Sequence, residues 1–177
     1  MKILDLFCGM GGWATGLIDA GHNVTGYDIA DFSDVYPGKF IQVDLLNFND
    51  FPQADVIVAS PPCTEFSKAS FPKTWKSVQR FPPDTNGAIR LFRRAYEIVE
   101  LARPKYYIIE NVRGAQKFMG KAREHKGSRY LWGDYPSFAV EESPALYGKW
   151  KMPPNPRRAE LRSVIPYPIS RAFAEVL

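Results

Sequence analysis

The sequence predicts an α/β fold: a doubly wound, mostly parallel sheet with helices on both faces. Three observations carry that prediction. Short apolar runs suited to buried strands alternate with helical stretches through the first 110 or so residues, the signature of βαβ units. The prolines cluster between these runs and mark loops. The 177 residues are about one domain's worth of chain, enough to bury a full core without disulfides.

The elements follow in order. Ile3-Leu4-Asp5-Leu6-Phe7 is a short strand, and Gly9 to Gly12 a turn. Trp13 to Ala20 is a helix closed by Gly21, the residue type that leaves a helix through the left-handed region. Asn23–Tyr27, Phe40–Val43 and Asp55–Ala59 are the second, third and fourth strands. Ser60 to Thr85 reads as irregular, with Pro61-Pro62, Pro72 and Pro82-Pro83. From Asn86 to Ala102 the apolar positions Ala88, Leu91, Phe92, Ala95, Ile98 and Val99 recur at helical spacing, and Pro104 ends the run. Tyr106–Ile109 is another buried strand. Tyr130–Trp132 and Phe138–Val140 are weaker strands that could form a hairpin, and Ile169–Leu177 is a helix.

Composition narrows the class. Hydrophobic residues make up 45%, an ordinary globular share. No apolar run approaches the ~18 residues of a membrane span, and Asp5 interrupts any signal-peptide core. The two cysteines, Cys8 and Cys63, can build neither a disulfide framework nor a zinc cluster. The expectation is a cytoplasmic protein (host cytoplasm if viral) with no membrane contact and no metal. The net charge of +4 is unevenly spread. Residues 1–60 carry two basic and eight acidic side chains, residues 61–135 fifteen and seven. A basic middle suits a polyanion, although a solvated helix face would carry the same charges.

Three motifs carry chemistry. Asp5-Leu6-Phe7-Cys8-Gly9-Met10-Gly11-Gly12 joins a strand to a helix, where glycines let a ligand approach the backbone. Asp28 stands nineteen residues after Gly9 at the end of the second strand, a spacing suited to ribose hydroxyls. Ser60-Pro61-Pro62-Cys63-Thr64-Glu65-Phe66-Ser67 follows the fourth strand, so Cys63 lies on a stiffened loop at the sheet edge where such folds keep their active sites. Glu110-Asn111-Val112 ends the next buried strand at the same edge.

Taken in order, these residues resemble the cytosine-C5 methyltransferases that use S-adenosylmethionine. Asp5–Gly12 is similar to their cofactor motif, Pro62–Ser67 to their Pro-Cys loop and Glu110–Val112 to their acid motif. Ile165-Pro166-Tyr167-Pro168-Ile169-Ser170-Arg171-Ala172 is similar to their C-terminal motif. The resemblance implies a Rossmann-like fold and four catalytic residues: Cys63 as nucleophile, Glu110 as acid, Asn111 as brace for the loop, and Arg129 as ligand to the base. It implies that Phe7, Gly9, Gly11, Asp28, Ile29, Asp44, Pro62 and Ser163 bind S-adenosylmethionine. Phe7 would stack on adenine and Asp44 would face its amino group; as alternatives, Phe7 is a core strand end and Asp44 the cap of a turn.

The implied partner is DNA, held by the basic segment 113–129 and the loop 64–85. Arg113, Lys117, Lys121, Arg123, Lys126 and Arg129 supply the first, and Lys68, Phe71, Lys73, Trp75 and Lys76 the second. Two departures from the family pattern stand out. Gly133 to Ser163 leaves about thirty residues where the family has a recognition domain, too few for a domain of its own. The expectation is one domain over 1–177, with relaxed or short specificity or a protein partner that supplies readout. Arg162-Ser163 replaces the usual Gly-Asn, and the added charge suggests a preference for a more acidic methyl donor. The rival readings are the same chemistry on tRNA and a non-catalytic binding module.

Overall fold

The computed structural model describes residues 1–69, 85–143, 146, 161 and 163–177. Strands β1 (Lys2–Leu6), β2 (Asn23–Asp28), β3 (Lys39–Gln42), β4 (Val56–Ala59), β5 (Tyr106–Asn111), β6 (Glu124–Lys126) and β7 (Arg129–Asp134) form one sheet in the order β3-β2-β1-β4-β5-β7-β6. The first five strands pair in parallel. β7 runs antiparallel to both β5 and β6. The helices are α1 (Gly12–Asp19), α2 (Thr64–Ala69), α3 (Thr85–Ala102), α4 (Gln116–Met119) and α5 (Tyr167–Ala174), with a 3-10 turn at Arg113–Ala115.

The central strands β1, β4 and β5 are largely apolar because both faces of the sheet are covered. Successive side chains point to opposite faces, so each run divides between two cores. Ile3, Val24, Val56, Val58, Ile108 and Leu131 pack under Trp13 and Leu17 of α1 and Ile169 and Phe173 of α5. Leu4, Leu6, Ile57, Ala59, Ile109 and Trp132 pack under Phe66 of α2 and Phe92, Ala95 and Ile98 of α3. Helices on both faces and a mostly parallel sheet are therefore observed.

Glycine lets α1 and α5 meet closely. A Cβ on Gly16 would stand 2.7 Å from the carbonyl carbon of Ser170, and nearer still to Ser170 Oγ and Arg171 N. Gly12 does the same one turn earlier, where a Cβ would lie 2.9 Å from Ile165 O. The segment Ser163–Ile165 is thereby laid against the start of α1.

Several expectations are corrected. The hairpin partner of β7 is Glu124–Lys126, reversed at Gly127-Ser128 with Gly127 at φ +58°, and not Phe138–Val140. Phe138 is instead a core residue against Tyr135 and Phe173, and its carbonyl accepts from Lys126 Nζ at 2.7 Å. The stretch after Ser60 holds α2, with Phe66 buried against Phe92. The helix expected at Ile169–Leu177 starts at Tyr167, with Pro168 in its first turn where no N–H is needed, and ends at Ala174.

Candidate active site

The sheet order reverses between β1 and β4, and a cleft of about 590 Å3 opens above the carboxyl ends of the strands there. Doubly wound sheets bind ligands at such points because the connections on either side diverge.

One side of the cleft is built on β1 and β2. The chain leaves β1 through Phe7 at φ 53°, Gly9 at 50° and Gly11 at 80°. A phenylalanine in the left-handed region is strained by about 1–3 kcal/mol, and its ring is held at the cleft wall. Gly11 is required sterically as well, because a Cβ there would stand 2.5 Å from Pro37 Cδ and 3.0 Å from Tyr36. Asp28 ends β2 and ties the glycine turn down: Oδ2 accepts from Gly9 N at 2.9 Å and Oδ1 from Ala30 N at 3.0 Å. Ile29 is 67% exposed at the cleft mouth.

Asp44 stands beyond β3, where Oδ1 accepts from Leu46 N at 3.0 Å and Oδ2 from Asn47 Nδ2 at 2.7 Å. It thus caps its own turn while lining the cleft with Leu45 and Leu46. Below the glycine turn, Asp5 is buried and accepts from the Tyr36 hydroxyl at 3.1 Å. Burial pushes its carboxyl well above the ordinary range, with Asp28 adding to the effect.

The other side is built on β4, β5 and β7. Ser60 continues β4, its amide bonded to Leu6 O at 3.1 Å. Pro61 is anchored from below by Asn111, whose Nδ2 donates to Pro61 O at 2.9 Å. The same side chain accepts from Val112 N at 2.9 Å, so one buried amide fixes the loop to β5. Cys63 follows, half-buried, and its carbonyl accepts from Ser67 N at 3.0 Å as α2 begins. Glu110 is 4% exposed and Arg129 7%. The pairing of β5 with β7 brings them together, Arg129 Nη1 standing 3.4 Å from Glu110 Oε1, while Nη2 donates to Val164 O at 3.0 Å.

Burial raises the Glu110 carboxyl above its usual range; Arg129 and a Ser60 hydrogen bond oppose that rise. Burial also raises the Cys63 thiol, with Glu110 adding to it and Arg129 opposing. Trp13 Nε1 donates to Ser60 Oγ at 3.1 Å, which joins α1 to this acid.

Ten of the twelve expected site residues line this one cleft: Phe7, Gly9, Asp28, Ile29, Asp44, Pro62, Cys63, Glu110, Arg129 and Ser163. Gly11 and Asn111 stand behind it as supports. Trp13, Ser60 and Leu91 also line it and were missed. Ser60 was the most findable, since it follows a buried strand directly at the edge that carries ligands.

The basic segment divides. Arg113, Lys117, Lys121 and Arg123 are exposed. Arg129 turns inward, and Lys126 turns toward Glu124 Oε2 and Phe138 O. Phe71, Lys73, Trp75, Lys76 and Arg162 lie outside the described residues. Among the described residues no helix is long and apolar enough to cross a membrane.

Comparison with known proteins identifies a family. The family model of C-5 cytosine-specific DNA methylases matches residues 1–126. Type II methyltransferase M1.HphI of Haemophilus parahaemolyticus is 31% identical over 127 residues, covering 63% of this chain and 32% of that protein. Orphan methyltransferase M.SPRI of Bacillus phage SPR is 30% identical over 129 residues, covering 64% and 27%. The solved structure of the S. pombe Dnmt2 methyltransferase matches with a TM-score of 0.46 and 18% identity, over 68% of this chain and 37% of that one. The chain spans about a third of the length of the curated relatives it matches. The matched region holds the glycine turn, Asp28, Asp44, Cys63, Glu110 and Asn111, and the chain belongs to the C-5 cytosine-specific DNA methylase family.

Proposed function

We propose that this protein transfers a methyl group from S-adenosylmethionine to C5 of cytosine in DNA, through a covalent bond between Cys63 and cytosine C6. The observation that carries the reading is the shared cleft. Cys63, Glu110 and Arg129 face the same space as Phe7, Asp28 and Asp44. Its ~590 Å3 lies within the ~300–1,000 Å3 of small-molecule sites. The residues fit the methyl donor: an aromatic ring and an exposed isoleucine for adenine, the Asp28 carboxylate for ribose hydroxyls, and glycine backbone for the methionine end. When bound, S-adenosylmethionine supplies an electrophilic methyl on a positively charged sulfur.

Cytosine C5 is a weak nucleophile, and the chain's own groups change that. The Cys63 thiolate adds to C6 and pushes electron density to C5. A protonated Glu110 donates to N3 and draws off the charge that develops in the ring. Burial pushes the Glu110 carboxyl up, toward the protonated form that this role needs, against the opposing pull of Arg129 and Ser60. Burial holds the Cys63 thiol up, and the Arg129 guanidinium is the charge that opposes this and favours the thiolate. C5 takes the methyl as the methyl–sulfur bond breaks and leaves a neutral thioether behind; C5 then gives its proton to a base, and the freed electron pair expels the Cys63 thiolate and restores the aromatic ring. In duplex DNA the base must first leave the stack, at a cost of a few kcal/mol.

The exposed Arg113, Lys117 and Lys121 suit phosphate contacts, which are sequence-blind. The roughly thirty residues between Gly133 and Ser163 are too few for a separate domain at that place in the chain.

DNA containing 5-fluorocytosine tests the reading. Fluorine at C5 blocks the last elimination, so the wild type is expected to form a denaturant-stable adduct when S-adenosylmethionine is present, and Cys63→Ala none. Failure of the wild type to cross-link to any DNA, with a tRNA carrying the same base trapped instead, would reassign the substrate.

A further inference from the structure

We propose that Arg94 is a positioning residue for recognition of adenine: its buried guanidinium holds the Leu45–Asn49 loop so that Asp44 and Leu46 present a fixed wall to the methyl donor. This rests on the functional reading above and deepens it.

The loop needs such a device. β3 ends at Gln42 and β4 starts at Val56. Between them no strand ladder occupies the backbone carbonyls, and buried carbonyls need donors. Arg94 projects from α3 and supplies them. Nε donates to Leu45 O at 2.8 Å, and Nη2 donates to Phe48 O at 2.7 Å and Asn49 Oδ1 at 2.6 Å. Nη1 donates to Glu97 Oε2 at 3.0 Å, but the Glu97 side chain is 61% exposed, so that ion pair contributes little.

The guanidinium itself is buried, and two of its three loop acceptors are main-chain carbonyls. Its planar fork reaches them together, as a single ammonium could not. Leu45 directly follows Asp44, and Asp44, Leu45 and Leu46 all line the cleft. Behind the loop, the Phe48 and Phe51 rings meet at 4.9 Å and Phe51 meets Tyr27 at 5.4 Å, so the far side is packed as well. α3 also sends Leu91 into the cleft, one turn before Arg94. Helix and loop therefore bound the same end of the site, and Arg94 sets their spacing.

Calorimetric binding separates positioning from mere structural support. The probes are S-adenosylmethionine and its inosine counterpart, in which oxygen replaces the amino group that Asp44 would accept from. A site with a fixed wall prefers the adenine compound, because the other leaves the carboxylate facing an oxygen. Arg94→Lys is expected to weaken binding of S-adenosylmethionine at least about tenfold and to narrow the preference between the two compounds, while Arg94→Met removes most of the preference. Glu97→Gln should keep both affinities. A general loss of structure would weaken both compounds alike and leave the ratio untouched. A folded Arg94→Lys with the wild-type ratio overturns the proposal, and that variant decides the matter even where Arg94→Met fails to fold. Failure of the wild type to bind S-adenosylmethionine would instead overturn the functional reading, and this inference with it.

Discussion

Replacing Gly16 by alanine should destabilise this protein, although the same change in an exposed helix would help it. Alanine favours a helix over glycine by about 1 kcal/mol. Here the added methyl would meet Ser170 and the amide of Arg171, with the Ser170 carbonyl carbon only 2.7 Å away. Two of those three atoms belong to the backbone of α5, so no rotamer change relieves the clash and the helices must part. Overpacking of this kind costs about 1–3 kcal/mol, and a backbone obstacle places it in the upper half of that range.

The net loss is about 1–2 kcal/mol. At about 2–4 °C per kcal/mol for a chain of this size, Tm should fall by about 2–8 °C. Scanning calorimetry measures it directly. Ser170→Ala in the same chain should not restore Tm, because it removes only the hydroxyl. Since α5 follows Ser163–Ile165, which lines the cleft, affinity for S-adenosylmethionine should fall too. A Tm equal to or above that of the wild type would refute the packing argument.

Other outcomes follow from the charges. Glu110→Gln keeps a neutral side chain beside Cys63 but cannot pass a proton to N3 of the base. Alkylation of Cys63 by iodoacetamide at pH 7 should therefore stay near the wild-type rate while methyl transfer collapses, and parallel losses of both would count against the assignment. Asp5 holds its proton in the folded state where the unfolded chain has released it. Its folded value is raised, so stability falls as pH climbs from about 4 toward that value, and Asp5→Asn should flatten this decline in urea midpoints taken from pH 4 to 8. Lys117→Ala and Lys121→Ala should each weaken duplex binding on all sequences and reduce the slope of log K against log salt by about 0.9, as loss of one phosphate contact does.

What could be read from the sequence was local. The glycine turn, the Pro-Pro-Cys loop and Glu110-Asn111 announce themselves because their chemistry needs particular residues at particular strand ends, and Asp28 follows from one βα unit of spacing. Phe138–Val140 was misread because alternating apolar residues fit a core loop as well as a strand. Glu124-His125-Lys126 was missed because its strand is set by pairing with β7, not by its own propensity. Nothing in the sequence around Arg94 distinguishes it from Arg93 beside it. One is exposed and the other clamps a loop some 45 residues away in sequence, and only the packing of α3 decides which.

The pairing of β1 with β4 has a further consequence. Asp28 ends a strand on one side of this seam and Cys63 follows a strand on the other, and both strands hydrogen-bond to β1 in register. The distance between the Asp28 end of the cleft and the start of the Cys63 loop is therefore ruled off by a backbone lattice whose pitch side chains do not set. Substitutions around the rim can reshape the mouth of the cleft. They leave those two strand ends in place, so, on the function proposed above, the span across which a methyl group would pass is the property of this site least open to drift.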